Sequence, residues 1–154
     1  MKTQTKYSLC HEVEIHYKRP LFDTSICISK STDAITYLRE YINPMRIDVK
    51  EFVWILLVSN ANQLLGISEI SSGSSQASLV NLKEILQLVL RSNASGIILA
   101  HNHPSGKLKP SKSDIEITKR CKTLLQYLHT TLIDHIIITS ESYFSFADED
   151  MMPT

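Results

Sequence analysis

The residues with the most chemistry in them lie together: His101-Asn-His103, then Pro104, Gly106, Ser111 and Asp114, directly after the apolar run at 97–100. Side chains at i and i+2 of an extended segment point the same way, so both imidazoles can reach one metal ion. A carboxylate near the start of the next helix can add a third ligand. Three protein ligands leave one position open, and an open zinc site lowers the pKa of its water to ~7, which makes hydroxide available at neutral pH. The chemistry implied is metal-assisted hydrolysis. Each residue alone has a plainer reading. A lone histidine is more often a surface or core residue, and Ser111 with Asp114 three positions on is also a helix-capping pair that needs no metal. The combination is what favours a divalent site.

The elements that must position these groups follow from periodicity. Residues 13–17 alternate apolar and polar side chains as a half-buried strand does, and Ser31 or Thr32 caps a helix through Ile35, Leu38 and Ile42 that Asn43-Pro44 ends. Residues 52–58 are apolar on both faces, as in a central strand, and after a turn at Asn60 to Asn62 residues 64–70 return antiparallel. The serine-rich stretch around Gly73 reads as a loop or irregular edge. Asn81 with Glu84 caps a helix whose Leu82, Ile85, Leu86, Val89 and Leu90 form an apolar face. A short strand at 97–100 then delivers the histidines. Ser111 opens a third helix with Ile115, Thr118, Cys121, Leu124 and Leu125 on one face, and strands at 132–139 and 143–146 follow. Strands interleaved with helices, several joined by short turns, indicate an α/β chain with a mixed sheet.

Composition narrows the function classes. The 154 residues suit one domain, and Lys+Arg 16 against Asp+Glu 16 leaves a net charge of +0, so no global field draws the chain to nucleic acid or anionic lipid. The longest apolar run, 52–58, is far short of the ~20 residues that span a bilayer. The chain therefore reads as soluble and cytoplasmic. Cys10, Cys27 and Cys121 show no CxxC spacing, which excludes a cysteine-built zinc site and a disulfide frame.

His101, His103, Pro104, six residues, Ser111, two residues and Asp114 spell HxHPx6SxxD. With the text GIILAHNHPSGKLKPSKSDIEITKR, then LIDHIIIT and YFSF, the chain from about Ser31 onward resembles the RadC-type branch of the JAMM (MPN+) metal-dependent peptidases. That resemblance implies a JAMM/MPN fold of the cytidine-deaminase-like sort, a mixed central sheet flanked by helices, over residues 31–154 behind a short extension at 1–30. It implies Zn2+ on His101, His103 and Asp114, with a water in the fourth position. By the same resemblance Glu51, at the head of EFVWILLVSNANQLL, is the general base, and Ser111 helps hold the oxyanion. The implied activity is zinc-dependent hydrolysis of a peptide or isopeptide bond in a peptide or protein substrate. Without the resemblance, Glu51 is no more distinguished than Glu40, Glu69 or Glu84.

RadC-type proteins usually carry a helix-hairpin-helix DNA-binding module ahead of this domain, and the 30 preceding residues are too few to build one. Nucleic acid is thus a less favoured partner, and a DNA-associated binding module with a structural zinc is the runner-up. Six cations between positions 107 and 122 outnumber Asp114 and Glu116 there, but without interleaved aromatics they read as solvated helix charge. A zinc deaminase would need HxE and PCxxC, and a thermolysin-type protease HExxH; the sequence has none of these. Lys83 stands where the family usually has Arg, and Gly73-Ser74 where it has Gly-Thr. Asp134-His135 also matches the family pattern, either orienting a ligand histidine through its second nitrogen or supporting a strand start.

Overall fold

The all-apolar run after Glu51 becomes a strand buried along its whole length, β1 (Val53–Val58), because helices cover both sides of the sheet it enters. The computed structural model of the chain describes residues 16–18, 26–70, 72–73 and 79–154. Its order is α1 (Ser31–Tyr41), β1, β2 (Leu64–Ile70), β3 (Ser72–Gly73), β4 (Leu79–Val80), α2 (Leu82–Ser92), β5 (Gly96–Asn102), α3 (Lys112–Gln126), β6 (Thr131–Ile138) and β7 (Tyr143–Ser145). Five strands form one sheet in the order β2-β1-β5-β6-β7, parallel only between β5 and β6, which α3 connects. The expected mixed α/β sheet is present. β3 and β4 pair with each other beside it, within the serine-rich stretch.

Two cores sandwich the sheet. On one face Ala34, Ile35 and Leu38 of α1 pack on Trp54, Leu56, Ile98, Ala100, Ile136 and Ile138. On the other, Ile85 and Val89 of α2 with Cys121 and Leu125 of α3 pack on Val53, Ile55, Ile97 and Leu99. Alternate residues of each strand serve opposite cores, as the two-residue period requires. Among the described residues no helix is long and apolar enough to cross a membrane.

Several expectations need correction. The first helix is not capped by Ser31 or Thr32. The Asp33 carboxylate accepts from the Ser29 and Lys30 N–H groups at 2.9 and 3.1 Å, and the Ser31 hydroxyl instead donates to Asp148 at 2.5 Å. Leu90 is exposed, since it lies about 140° around the helix from Ile85. Asn81 does cap α2, accepting from the Glu84 N–H at 3.2 Å. β5 runs beyond residue 100 and takes in His101 and Asn102, because Ile137 and Ile138 of β6 continue to pair with them. His16 and Tyr17 are not in a strand; the rest of the 13–17 expectation lies outside the described residues.

Candidate metal centre

Three elements bring the HxHPx6SxxD residues to one place. β5 ends as His101 faces α3, and the chain continues so that the His103 N–H donates to the Ile138 carbonyl at 3.2 Å, holding the second histidine on the same face. The turn after it closes with the Gly106 N–H on the His103 carbonyl at 3.0 Å, and Gly106 takes φ 75°, a conformation glycine adopts without strain. That turn returns the Lys107 carbonyl to within 2.6 Å of His103 Nδ1. A carbonyl only accepts, so Nδ1 carries the proton and His103 Nε2 presents a lone pair.

The start of α3 supplies the third group. The Ser111 hydroxyl accepts from the Asp114 N–H at 3.1 Å while Asp114 Oδ2 accepts from the Ser111 N–H at 2.6 Å, a reciprocal cap. The capping reading of this pair is therefore correct, and it coexists with the metal reading. The cap occupies Oδ2 and leaves Oδ1 3.2 Å from His101 Nε2. Burial opposes ionisation of Asp114. The hydrogen bond and charge that His101 supplies in its doubly protonated form, together with the Ser111 bonds, outweigh burial and hold the carboxyl well below the usual carboxylate range.

His101 Nε2 lies 3.0 Å from His103 Nε2, and His103 Nε2 lies 3.6 Å from Asp114 Oδ2. One donor atom from each of His101, His103 and Asp114 falls within 4.8 Å of the others, and His101 and Asp114 are buried. Donors around a tetrahedral zinc ion sit about 3.3 Å apart, given bonds of ~2.0–2.1 Å. Two imidazoles and a carboxylate at these separations fit such an ion and leave one side open.

That side is a cavity of about 670 Å³ lined by Glu51, Val53, Val80, the three candidate ligands, Ser111, Lys112, Ile117, Arg120 and His135, among others. Glu51 reaches it through strand register. β1 pairs antiparallel with β5, Val53 opposite His101, and Glu51, two residues before Val53, lines the same cavity as His101 and His103. Asn102, between the histidines, points to the opposite face and is fully buried. Its Oδ1 accepts from the Phe52 N–H at 2.6 Å, and its Nδ2 donates to the Ile47 and Lys50 carbonyls at 2.5 and 2.8 Å. These bonds bracket Glu51, and the sequence reading assigned Asn102 no role.

The structure divides the work of Asp134 and His135. Asp134 accepts from the Ser145 hydroxyl at 2.6 Å and from the Ala147 and His135 N–H groups at 2.9 and 2.7 Å, binding the C-terminal segment to β6. Burial raises its pKa, against those hydrogen bonds. That segment places the Phe146 ring on the His135 ring, centroids 4.7 Å apart and 16° from parallel. His135 in turn touches His101, its Nε2 2.9 Å from His101 Nδ1. Burial, then the neighbouring His101, push the His135 pKa well below its ordinary value. Of the basic stretch, Lys112 and Arg120 line the cavity, whereas Lys122 donates to the Pro153 carbonyl. Cys121 is buried, its thiol pushed up to about 12 by desolvation, and takes no part.

A profile described as the RadC-like JAB domain matches residues 28–151. The chain is 38% identical over 122 residues to a UPF0758 protein of Flavobacterium johnsoniae, covering 79% of this chain and 52% of that one. It is 37% identical over 145 residues to a UPF0758 protein of Fusobacterium nucleatum, covering 94% and 61%. A UPF0758 protein of Neisseria meningitidis serogroup B is 31% identical over 149 residues, covering 97% and 65%. The chain thus spans between half and two thirds of the length of these relatives.

Proposed function

This chain belongs to the RadC-like JAB domain family, and from that premise we propose that it is a zinc-dependent hydrolase of peptide or isopeptide bonds, with His101, His103 and Asp114 as ligands. The observation that carries the reading is the convergence of two imidazole nitrogens 3.0 Å apart with the Asp114 carboxylate, whose two oxygens lie 3.2 and 3.6 Å from them, at the wall of an open cavity also lined by the Glu51 carboxylate just ahead of β1. A zinc ion bound there supplies Lewis-acid polarisation of a carbonyl and acidifies water.

The chain's own groups then divide the proton and charge handling. Glu51, which lines the cavity beside the histidines, accepts the proton from the attacking water and returns it to the leaving amine. Ser111 Oγ already accepts from the Asp114 N–H, so its own hydroxyl proton is free to be donated to a developing oxyanion. Val53, Val80 and Ile117 give the cavity apolar wall against which a substrate side chain can pack. Asp114 Oδ2, held by the cap, fixes the carboxylate while Oδ1 remains for the ion.

The test is elemental analysis of the purified protein followed by turnover on a panel of peptide and isopeptide substrates, wild type against Glu51→Gln. We expect zinc retained in both, and a loss of ~10²–10⁴-fold in turnover in the variant. Near-wild-type turnover by Glu51→Gln would remove Glu51 from the base role. Stoichiometric zinc with no hydrolysis, together with DNA binding weakened by substitution of Lys112 and Arg120, would favour the binding-module reading.

A further inference from the structure

The two outer donors of the candidate centre, His103 Nε2 and the Asp114 carboxylate, both offer electron pairs, but His101 Nε2 between them has two readings. It either carries a proton, donated to Asp114 Oδ1 at 3.2 Å or to the His103 Nε2 lone pair at 3.0 Å, or offers a lone pair to a cation. The choice is made on the far side of the ring, by two buried residues that are not ligands.

The chain of contacts there has one consistent polarity. Thr118 Oγ1 lies 2.5 Å from the Asp114 backbone carbonyl and 2.6 Å from His135 Nδ1. A carbonyl cannot donate, so the single hydroxyl proton goes to it, and the second contact exists only if His135 Nδ1 donates to the hydroxyl. His135 Nε2 is then a lone pair, and the 2.9 Å contact to His101 is a bond only if His101 Nδ1 carries the proton. His101 Nε2 is left bare. We propose that Thr118 and His135 are positioning residues that lock His101 in the Nδ1–H form, so that its Nε2 lone pair faces the cavity before any metal arrives.

Three further facts support a lock rather than incidental packing. Thr118 and His135 are both buried, which removes competing water from each bond. The Phe146 ring, stacked on His135, holds the plane in which both of its nitrogens meet their partners. The relay also begins at the backbone of Asp114 and ends at His101, so it ties two ligands from separate elements, α3 and β5, through β6. Ligand histidines commonly give their second N–H to a carboxylate or carbonyl. Here the acceptor is an imidazole whose acceptor nitrogen is itself specified by a threonine hydroxyl.

This inference rests on the metal-site reading only for its consequence, not for its test. The ring-nitrogen NMR signals of His101 and His135 are recorded in metal-free wild-type protein, in Thr118→Val and in Thr118→Ser, and zinc affinity is measured in each by competition with a chelator. We expect protonated Nδ1 and bare Nε2 on both histidines of the wild type. Thr118→Val should disturb both rings and weaken zinc binding ~10–100-fold, and Thr118→Ser should restore both. A His101 proton on Nε2 in the wild type, or unchanged rings and affinity in Thr118→Val, overturns the proposal. If Thr118→Val does not fold, the wild-type spectrum still decides. The expected ring states with no zinc uptake would sink the metal reading and leave the lock standing.

Discussion

The tripeptide His101-Asn102-His103 meets the two faces of the sheet in opposite ways. On the α1 side the Asn102 amide is saturated, with its oxygen and both N–H groups bonded to the backbone of residues 47–52. On the α3 side two imidazole nitrogens lie 3.0 Å apart, each facing a different oxygen of the Asp114 carboxylate at 3.2 and 3.6 Å, and by the proton assignment above no hydrogen lies among them. One face satisfies its polar groups within the chain. The other holds mutually repelling electron pairs that only a cation or a proton from outside can reconcile. A buried polar residue that is fully paired belongs to the fold, and one left with unmet demand belongs to the chemistry.

That contrast is tested first where the effect is largest, on the unsaturated side. His103→Ala should reduce bound zinc from one per chain to none by elemental analysis, while unfolding of the metal-free protein in urea shifts by less than about 1 kcal/mol. A strongly destabilised metal-free variant would mean that the histidine supports the fold after all.

The opposite pattern is expected across the sheet. Asn102→Ala leaves the Phe52 N–H and two carbonyls without their partner, at ~1–3 kcal/mol for each buried group left unmet, so urea unfolding should report a loss of at least about 3 kcal/mol. Zinc should still bind. A stability change near zero would show that water replaces the amide there and that the faces are less different than described.

The smallest and most graded probe is pH. Imidazole ligands must be neutral to bind, so acidification should release zinc. Asp114, whose carboxyl is held below the usual carboxylate range, stays ionised to lower pH than an ordinary carboxylate. A carboxyl so depressed contributes stability at higher pH that is lost only as pH falls through its folded-state value. Metal loss should therefore precede any loss of structure attributable to Asp114, and coincident transitions in metal content and circular dichroism would contradict this.

Much of this was legible beforehand because it is local. HxHPx6SxxD brings three candidate ligands together through strand and helix geometry, and the all-apolar run at 52–58 announces a strand covered on both faces. Asn102 was not legible as a clamp, since its partners lie some fifty residues away and only pairing of β1 with β5 brings them to it. Thr118 was read as one member of an apolar helix face. It does lie on that face, but a hydroxyl four residues after the candidate ligand Asp114, together with His135, already read as either orienting a ligand histidine or supporting a strand start, was the signal available for a relay. Leu90 was misread because a wide apolar stripe was extended past the arc that the core covers.

The double use of Asp114 has an evolutionary consequence. One oxygen serves the helix start and the other faces His101. Asparagine at this position would keep an oxygen for the Ser111 N–H and surrender the negative charge, and the change requires a single nucleotide. A lineage could thus lose this carboxylate charge while inheriting the helix start intact, so the fold by itself does not secure the site.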